Sequence, residues 1–192
     1  LLITDDCSKD DTINIIKKFQ EIDNRIQLFS TGKNSGAAAA RNISLQNATG
    51  KYIAFLDSDD TWISNKLETQ IKFMEKNNIA FSFSNYSVMK EDGTPTGNII
   101  HAPKVIGYHG YLRNTIIGCL TVIIDKEKTG SFMMPDIKSS HDMALWLLIM
   151  KRGFKAYGLQ KTLANYRLVS TSNTAKKWKA AKDVWKVYRE IE

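Results

Sequence analysis

The chain has 192 residues, of which 43% are hydrophobic and 24% are charged, a composition typical of one globular domain with at most a small appendage. Its longest uninterrupted apolar run, Met143 to Met150, is far shorter than a membrane span. The net charge of +7 favours anionic partners such as nucleotide phosphates, acidic lipids or nucleic acid. Cys7 and Cys119 have no metal-binding spacing and predict no disulfide framework, so we expect a reducing cytoplasmic setting.

The first half of the chain predicts strands and helices in alternation. Short apolar runs predict strands at 1–4, 25–29 and 51–56. Helices are predicted to begin near Asp11 or Thr12, at Gly36 and after Ser64. This alternation is typical of a parallel sheet with helices on its faces. The polar residues that follow the three strands would then line one edge of the sheet, where open α/β sheets bind ligands.

Three carboxylates follow the third of these strands within four residues. Asp57, Asp59 and Asp60 repel one another unless a cation or hydrogen-bond donors compensate. A hard divalent ion held by one or two carboxylates, with phosphate oxygens completing its shell, would supply that compensation. The alternative is a solvated turn that leads into the N-terminus of a helix, where aspartate is favoured in any case.

The second half of the chain is less regular. A helix is predicted from Asp142 to Arg152, and Gly153 can end it. Beyond residue 176 the sequence predicts a basic amphipathic helix with an aromatic stripe that includes Trp178, Ala181, Trp185 and Tyr188. The predicted strands of this half are 79–90, 96–101, 120–125, 156–159 and 163–168, and the first two are joined by a hairpin turn at 91–94.

Four motifs occur in an order and spacing that resemble glycosyltransferase family 2, whose members are inverting enzymes with the GT-A fold. They are Asp5-Asp6-x-Ser8, Gly36-x-x-x-Ala40-Arg41-Asn42, the run from Gly50 to Asp60, and His141-Asp142-x-x-Leu145-Trp146. The resemblance covers residues 1–172 and implies an α/β, Rossmann-like nucleotide-diphospho-sugar transferase domain with a mostly parallel mixed sheet flanked by helices. Residues 173–192 would then be a separate basic amphipathic helix.

Members of this family begin with a strand that lies at the centre of the GT-A sheet, and the sequence given starts after it. We therefore expect the GT-A domain without its first strand. Because loss of a central strand would leave backbone groups unpaired inside the sheet, a second hypothesis remains open. It is a module that binds a nucleotide sugar without turnover.

The resemblance implies a donor site at the sheet edge. Asp6 corresponds to an aspartate that hydrogen-bonds the nucleotide base, usually uracil, because a carboxylate accepts the imide N–H. A helix-capping turn is the alternative for the Asp5-Asp6 pair. Arg41 is expected near the nucleotide, with a surface helix charge as its alternative. The donor-binding residues implied are Asp5, Asp6, Lys33, Arg41, Asp57 and Ser58, with Asp57 at the ribose or sugar and Lys33 either at a phosphate or simply exposed on its loop.

The resemblance also implies the chemistry. Asp59 of the D-x-D motif would hold Mg²⁺ or Mn²⁺, which neutralises the diphosphate leaving group. Asp142 corresponds to the base that removes a proton from the acceptor hydroxyl, and its alternative is a helix N-cap. His141 would tune that base, approach the metal or be incidental. Trp146 is expected in the core rather than as a sugar platform, and either Arg167 or the serine-rich loop after it would close over the diphosphate.

These expectations predict an inverting, metal-dependent transfer of one sugar from a nucleotide sugar, with UDP as the expected nucleotide. The expected acceptor is a hydroxyl of a glycan or lipid-linked molecule in bacterial cell-envelope polysaccharide synthesis. Nucleic acid is not an expected partner, because no basic-aromatic motif accompanies the positive charge. We expect a cytoplasmic protein at the inner face of the plasma membrane, where the C-terminal helix would contact anionic lipid, with packing against the domain as the alternative.

Overall fold

The computed structural model describes residues 1–137, 139–169, 185 and 187–189. The strands within these residues are β1 (Leu2–Asp5), β2 (Gln27–Ser30), β3 (Tyr52–Ala54), β4 (Thr61–Trp62), β5 (Phe81–Met89), β6 (Pro95–Ile100), β7 (Val105–Ile106), β8 (Ile123–Asp125) and β9 (Ala156–Arg167). The helices are α1 (Thr12–Ile22), α2 (Ala37–Asn47), α3 (Lys66–Lys76), α4 (Tyr108–Arg113), α5 (Lys126–Thr129) and α6 (His141–Lys151), and a 3-10 turn covers Cys119–Thr121. In this described part, every helix is too short or too polar to cross a membrane.

Strands β1 and β2 form a parallel pair that is connected through α1. Their register runs from Leu2 opposite Gln27 to Asp5 opposite Ser30. Parallel neighbours need a crossover, and the apolar periodicity of α1 predicted the helix that provides it. Of the apolar positions that define this periodicity, Ile16 is buried, whereas Ile15, Phe19 and Ile22 are exposed. The helix is therefore confirmed, but the described residues cover only part of its apolar face.

The other described strands form a seven-stranded mixed sheet. Its path is β3-β8-β5-β9-β4, with β6 beside β5 and β7 beside β9. The β5–β9 pair is parallel, and the five other pairs in this sheet are antiparallel. The expected mixed α/β sheet is confirmed, with fewer parallel pairs than the sequence suggested. Antiparallel neighbours prevail because the second half of the chain turns back through a hairpin and short loops, which need no helical crossover.

Helix α6 packs in the main hydrophobic core. Its sequence is apolar on nearly all sides, as expected for a buried helix. Trp146 is fully buried, and its ring centroid lies 5.3 Å from that of Phe81 and 5.8 Å from that of Phe55. The prediction that Trp146 belongs to the core is confirmed, and its alternative as an acceptor-binding platform is wrong because a fully buried ring offers no face to a sugar. This packing fixes the middle of α6 against the core.

Several element boundaries differ from the predictions. Strand β3 has three residues, because only these pair with β8, whereas the sequence predicted 51–56. Helix α3 begins after Asn65 rather than after Ser64. The predicted strand at 120–125 is divided between the 3-10 turn and β8, and the two extended segments predicted between 156 and 168 belong to the single strand β9.

Most of the C-terminal helix predicted for residues 173–192 lies outside the described residues, including Trp178 and Ala181. The described positions contact the domain: Val187 is fully buried in the main core, and the hydroxyl of Tyr188 donates to the carbonyl of Leu112 at 2.6 Å. Trp185 is exposed. At these positions the chain therefore packs against the domain, as in the second of the two alternatives for this helix.

Candidate active site

The carboxylates at 57–60 form a turn shortly after β3. The amide of Asp60 donates to the carbonyl of Asp57 at 3.1 Å, which closes the turn. The side chain of Asp57 is 41% exposed, Asp59 is exposed and Asp60 is buried. Burial raises the pKa of Asp60 to about 6; the charges of Asp59 and Asp57 act in the same direction, and the hydrogen bond from the Arg167 amide opposes them. The expected crowding of like charges is therefore present in the folded chain.

Arg167 holds this turn at the end of β9. Its amide donates to Oδ1 of Asp60 at 2.8 Å, and its Nε donates to the carbonyl of Asp59 at 2.6 Å. Its Nη1 donates to the carbonyl of Glu91 in the hairpin turn at 2.9 Å. The guanidinium is thus directed at backbone carbonyls. In this structure Arg167 orders the turn at 57–60, and the serine-rich loop named as its alternative, with Ser170, Ser172 and Asn173, lies outside the described residues.

Asp5 shapes the loop directly after β1. It is buried, and its Oδ2 accepts the amides of Cys7 at 3.0 Å and Ser8 at 3.2 Å. Such a bond from an aspartate to the backbone two residues on is an Asx turn. The carboxylate of Asp5 therefore serves the local backbone and does not cap α1, so its predicted contact with the donor gains no support from its position.

Asp6 connects β1 to the loop that precedes α2. Its Oδ1 accepts the hydroxyl of Thr31 at 2.7 Å and the amide of Ser35 at 2.8 Å, and its Oδ2 accepts the amide of Gly36 at 2.8 Å. The bond from Ser35 contributes most to keeping the pKa of Asp6 below its ordinary value, although burial opposes it. The helix-capping alternative for Asp6 is wrong, because these partners lie about thirty residues further along the chain.

Arg41 lies on α2 and contacts two other predicted site residues. Its Nη2 forms an ion pair with Oδ1 of Asp57, and its Nη1 contacts Nε2 of His141. The side chain is only 16% exposed, so the alternative of a surface helix charge is wrong. A buried guanidinium needs such partners, because an unpaired buried charge is strongly unfavourable. Arg41 thereby brings the turn at 57–60 next to the start of α6.

His141 and Asp142 occupy the first turn of α6. The N-cap is Ser140, so the N-cap alternative for Asp142 is wrong. Asp142 is partly exposed, and a carboxylate in the first turn is stabilised by the positive end of the helix dipole. Burial, and after it the charge of Arg41, lower the pKa of His141, while the charge of Asp142 raises it. Arg41, His141 and Asp142, all predicted for the site, are therefore close neighbours.

Lys33 and Ser58 lie at the surface of the same region. Lys33 is exposed on the loop whose backbone binds Asp6, and Ser58 is exposed in the turn at 57–60. Both side chains are accessible to a ligand at this edge of the sheet.

The described residues contain no group of three or more His, Cys, Asp or Glu side chains arranged to hold a metal ion. A hard divalent cation that binds one or two carboxylates and completes its shell with substrate oxygens and water needs no such group. Asp57 is engaged by Arg41, whereas Asp59 is exposed. Asp59 is therefore the better placed of these two carboxylates for such an ion.

Asn42 is a residue of this region that sequence reasoning missed. Its Nδ2 donates to the carbonyl of Met134 at 2.9 Å, and its Oδ1 accepts the amide of Met134 at 2.7 Å. These two hydrogen bonds hold the segment around Met134, which leads to α6, against α2. The signal was the Ala40-Arg41-Asn42 motif, but two adjacent polar residues on a helix fit a solvated face equally well.

A buried lysine near the turn was also missed. Lys66 is 1% exposed, and its ammonium donates to Oε1 of Gln70 at 2.6 Å and to the carbonyl of Thr121 at 3.3 Å. It lies 5.1 Å from the ring centroid of Trp62. Burial lowers the pKa of Lys66 to about 7. This contact network ties β4 and α3 to the 3-10 turn.

A sequence model described as "Glycosyl transferase family 2" matches residues 1–134. Among curated relatives, TuaG of Bacillus subtilis (strain 168), a glycosyltransferase named for teichuronic acid biosynthesis, is 53% identical over 192 residues, which cover all of this chain and 76% of TuaG. WfgD of Escherichia coli, named as a UDP-Glc:α-D-GlcNAc-diphosphoundecaprenol β-1,3-glucosyltransferase, is 41% identical over 188 residues, which cover 97% of this chain and 72% of WfgD.

Among solved structures, that of TarS residues 1–349 from S. aureus in complex with UDP-GlcNAc is similar, with a TM-score of 0.75 and 19% sequence identity. The similarity covers 99% of this chain, which spans 55% of the TarS chain, about half of its length. This likeness concerns the fold, and the family match confirms the resemblance inferred from the four motifs. The chain therefore belongs to glycosyl transferase family 2 and has the GT-A fold.

Proposed function

We propose that the chain transfers a sugar from a nucleotide sugar, with UDP as the nucleotide, to a hydroxyl of a lipid-linked or glycan acceptor in bacterial cell-envelope polysaccharide synthesis. The observation that carries this proposal is the meeting of Asp57 and His141 at Arg41, which brings the turn at 57–60 to the first turn of α6. The names of TuaG and WfgD support the pathway and the lipid-linked acceptor. The UDP-GlcNAc in TarS supports the nucleotide.

In this proposal the turn at 57–60 binds the diphosphate end of the donor. Asp59 would hold Mg²⁺ or Mn²⁺, and Asp57, fixed by Arg41, would contact the ribose or the sugar together with Ser58. A bound ion would neutralise the charge that develops on the diphosphate leaving group. Lys33, exposed at the same edge, would contact a phosphate.

Asp6 would contribute to the nucleotide site in two ways. Its carboxylate orders the loop at 31–36 through three hydrogen bonds, which fixes that wall of the site. Oδ2 accepts only one of these bonds, so a lone pair remains for the imide N–H of uracil. Asp5 would support this arrangement indirectly, because its carboxylate orders the loop after β1.

Asp142 would act as the general base. Its carboxylate removes the proton from the acceptor hydroxyl while the hydroxyl oxygen forms a bond to the anomeric carbon of the donor. The bond from that carbon to the diphosphate oxygen breaks at the same time, and the nucleoside diphosphate leaves with the electron pair. Attack on the face opposite the leaving group inverts the anomeric configuration. The partial exposure of Asp142 at a helix start supports this role, because the carboxylate is accessible to an acceptor hydroxyl.

We place this reaction in the cytoplasm, at the inner face of the plasma membrane. WfgD is named for an acceptor linked to diphosphoundecaprenol, a lipid carrier. The net charge of +7 favours an anionic surface. Most of the C-terminal segment that would make this contact lies outside the described residues.

The test measures sugar transfer from radiolabelled UDP-glucose and UDP-N-acetylglucosamine to a synthetic GlcNAc-diphospho-lipid by the complete protein, with Mn²⁺ and with a chelator. Transfer with Mn²⁺ and its loss on chelation are expected. Asp142→Asn should retain UDP binding and lose at least about a hundredfold in transfer rate. Asp136→Asn is the matched control, because Asp136 is an exposed carboxylate a few residues before α6, and it should keep wild-type transfer.

Three results would contradict parts of this proposal. Transfer that persists in Asp142→Asn removes Asp142 as the base. Transfer that is unaffected by the chelator removes the metal. UDP binding by the complete protein with no transfer to any lipid-linked or glycan acceptor supports the alternative of a binding module without turnover.

A further inference from the structure

The turn at 57–60 and the start of α6 are joined by one largely buried side chain, that of Arg41. Arg41 contacts Asp57 with one terminal nitrogen and His141 with the other, and its side chain is largely buried. A guanidinium is planar, so its two terminal nitrogens hold these partners in a fixed relative geometry. A shift of the turn at 57–60 is therefore transmitted to the first residue of α6.

The same part of α2 also fixes the segment before α6. Asn42, next to Arg41, forms two hydrogen bonds with the backbone of Met134. Helix α2 thus holds the approach to α6 through Asn42 and the first turn of α6 through Arg41. Two adjacent residues of one rigid helix set where Asp142 lies.

The start of α6 depends on this outside support because its own cap is weak. Ser140 has a φ of 60°, in the left-handed region that non-glycine residues rarely adopt, and its side chain makes no capping hydrogen bond. His141 is buried, its Nε2 contacts Nη1 of Arg41, and the backbone of Ile137 is a further polar neighbour of the ring. The contact with Arg41 links the ring to α2.

We propose that Arg41 and His141 are positioning residues that set the general base Asp142 relative to the donor bound at the turn at 57–60. This inference rests on the proposed function. Nε2 of His141 accepts from the permanently charged guanidinium, so the ring is the neutral tautomer with its proton on Nδ1. The charged groups that face it are Arg41, Asp142 and Asp57. Arg41 fixes the position of the His141 ring, and His141 in turn fixes the first turn of α6, which bears Asp142.

The test is a set of variants of the complete protein, assayed for kcat, KM for the UDP-sugar and Kd for UDP. His141→Met keeps the volume and removes the acceptor, and we expect a fall in kcat of about tenfold or more with the Kd for UDP within about twofold of wild type. His141→Gln restores an acceptor for Arg41 and should recover most of the lost kcat. A purely structural role would not produce this division between kcat and UDP binding, nor the rescue by glutamine.

Arg41 supplies a second, independent readout. Arg41→Lys keeps the charge, but one ammonium cannot span both partners, and kcat should fall. Because both residues act through one contact, adding His141→Met to Arg41→Lys should reduce kcat little further. Fully additive losses, or no recovery in His141→Gln, would overturn the inference.

The two levels of the proposal fail differently. If the wild type transfers sugar and His141→Met has wild-type kcat, this inference is wrong and the proposed function stands. If the wild type transfers no sugar, the proposed function is wrong, and the inference that rests on it is wrong with it. Circular dichroism of each variant confirms that the changes in kcat come from folded protein.

Discussion

Replacing Lys66 by methionine is expected to remove a pH dependence from the folding stability. Lys66 is buried, and burial lowers the pKa of its ammonium from 10.5 to about 7. In the unfolded chain the amine keeps its proton up to its ordinary pKa, whereas in the folded chain it loses the proton above the lowered pKa. Between the two values the unfolded chain binds the additional proton, so the free energy of unfolding rises with pH in this window.

The expected rise is about 1.4 kcal/mol for each pH unit and about 5 kcal/mol over the whole window. Urea unfolding of the wild type and of Lys66→Met at several pH values between about 7 and 10 measures it, because groups shared by both proteins cancel in the difference. The free energy of unfolding of the wild type should rise relative to that of Lys66→Met as the pH rises. Lys72→Met is the matched control, since Lys72 is exposed on the same helix, and its difference from the wild type should stay constant.

A difference between wild type and Lys66→Met that is flat across this window would refute the reasoning. It would mean that the amine titrates alike in the folded and unfolded chains. The contacts of Lys66 with Gln70, Thr121 and Trp62 would then stabilise the ammonium as well as water does.

The remaining predictions concern the turn at 57–60, the contact between Asn42 of α2 and Met134, and the core. Asp59→Asn should abolish the gain in UDP affinity that Mn²⁺ gives the wild type in calorimetry, while Asp11→Asn, at an exposed position, keeps it; an unchanged gain in Asp59→Asn would exclude the metal role. Asn42→Ala should lower the free energy of unfolding in urea by about 2 kcal/mol, since two hydrogen bonds to Met134 are lost, and an unchanged value would contradict their contribution. Trp146→Ala should lower it by about 3–5 kcal/mol, because truncating a fully buried ring leaves a cavity, and a loss below about 1 kcal/mol would place the ring outside a tightly packed core.

The features that could be predicted from the sequence are those encoded by neighbouring residues. Helical periodicity located α1, and the apolar run from Met143 to Met150 lies within α6, where Trp146 is buried as expected. The crowding of carboxylates at 57–60 followed from their spacing alone. Burial is the main cause of the raised pKa of Asp60, and the charges of Asp59 and Asp57 add to it. Residues this close in sequence remain neighbours in the folded chain, so their mutual repulsion can be predicted without knowing the fold.

The features that could not be predicted depend on contacts between distant segments. Asp6 meets the loop at 31–36, and Arg41 meets His141 one hundred residues further on. A sequence shows that an arginine is present but not which buried carboxylate or imidazole it will face. Lys66 was missed because a lysine on a helix is normally solvated, whereas here its ammonium contacts the carbonyl of Thr121 in the 3-10 turn, which is distant in sequence.

The balance of charge at the turn at 57–60 explains why a cation is the expected further component of the site. Within the described residues, Arg41 pairs with Asp57, whereas the guanidinium of Arg167 donates to backbone carbonyls. Asp60 relieves the repulsion differently, since burial raises its pKa to about 6. These contacts leave the charge of Asp59 the least compensated, and a diphosphate would bring more negative charge to the same place. A divalent ion held by Asp59 would relieve both repulsions, so chelation is expected to impair donor binding. Neutralising Asp57 or Asp60 alone is expected to impair it less.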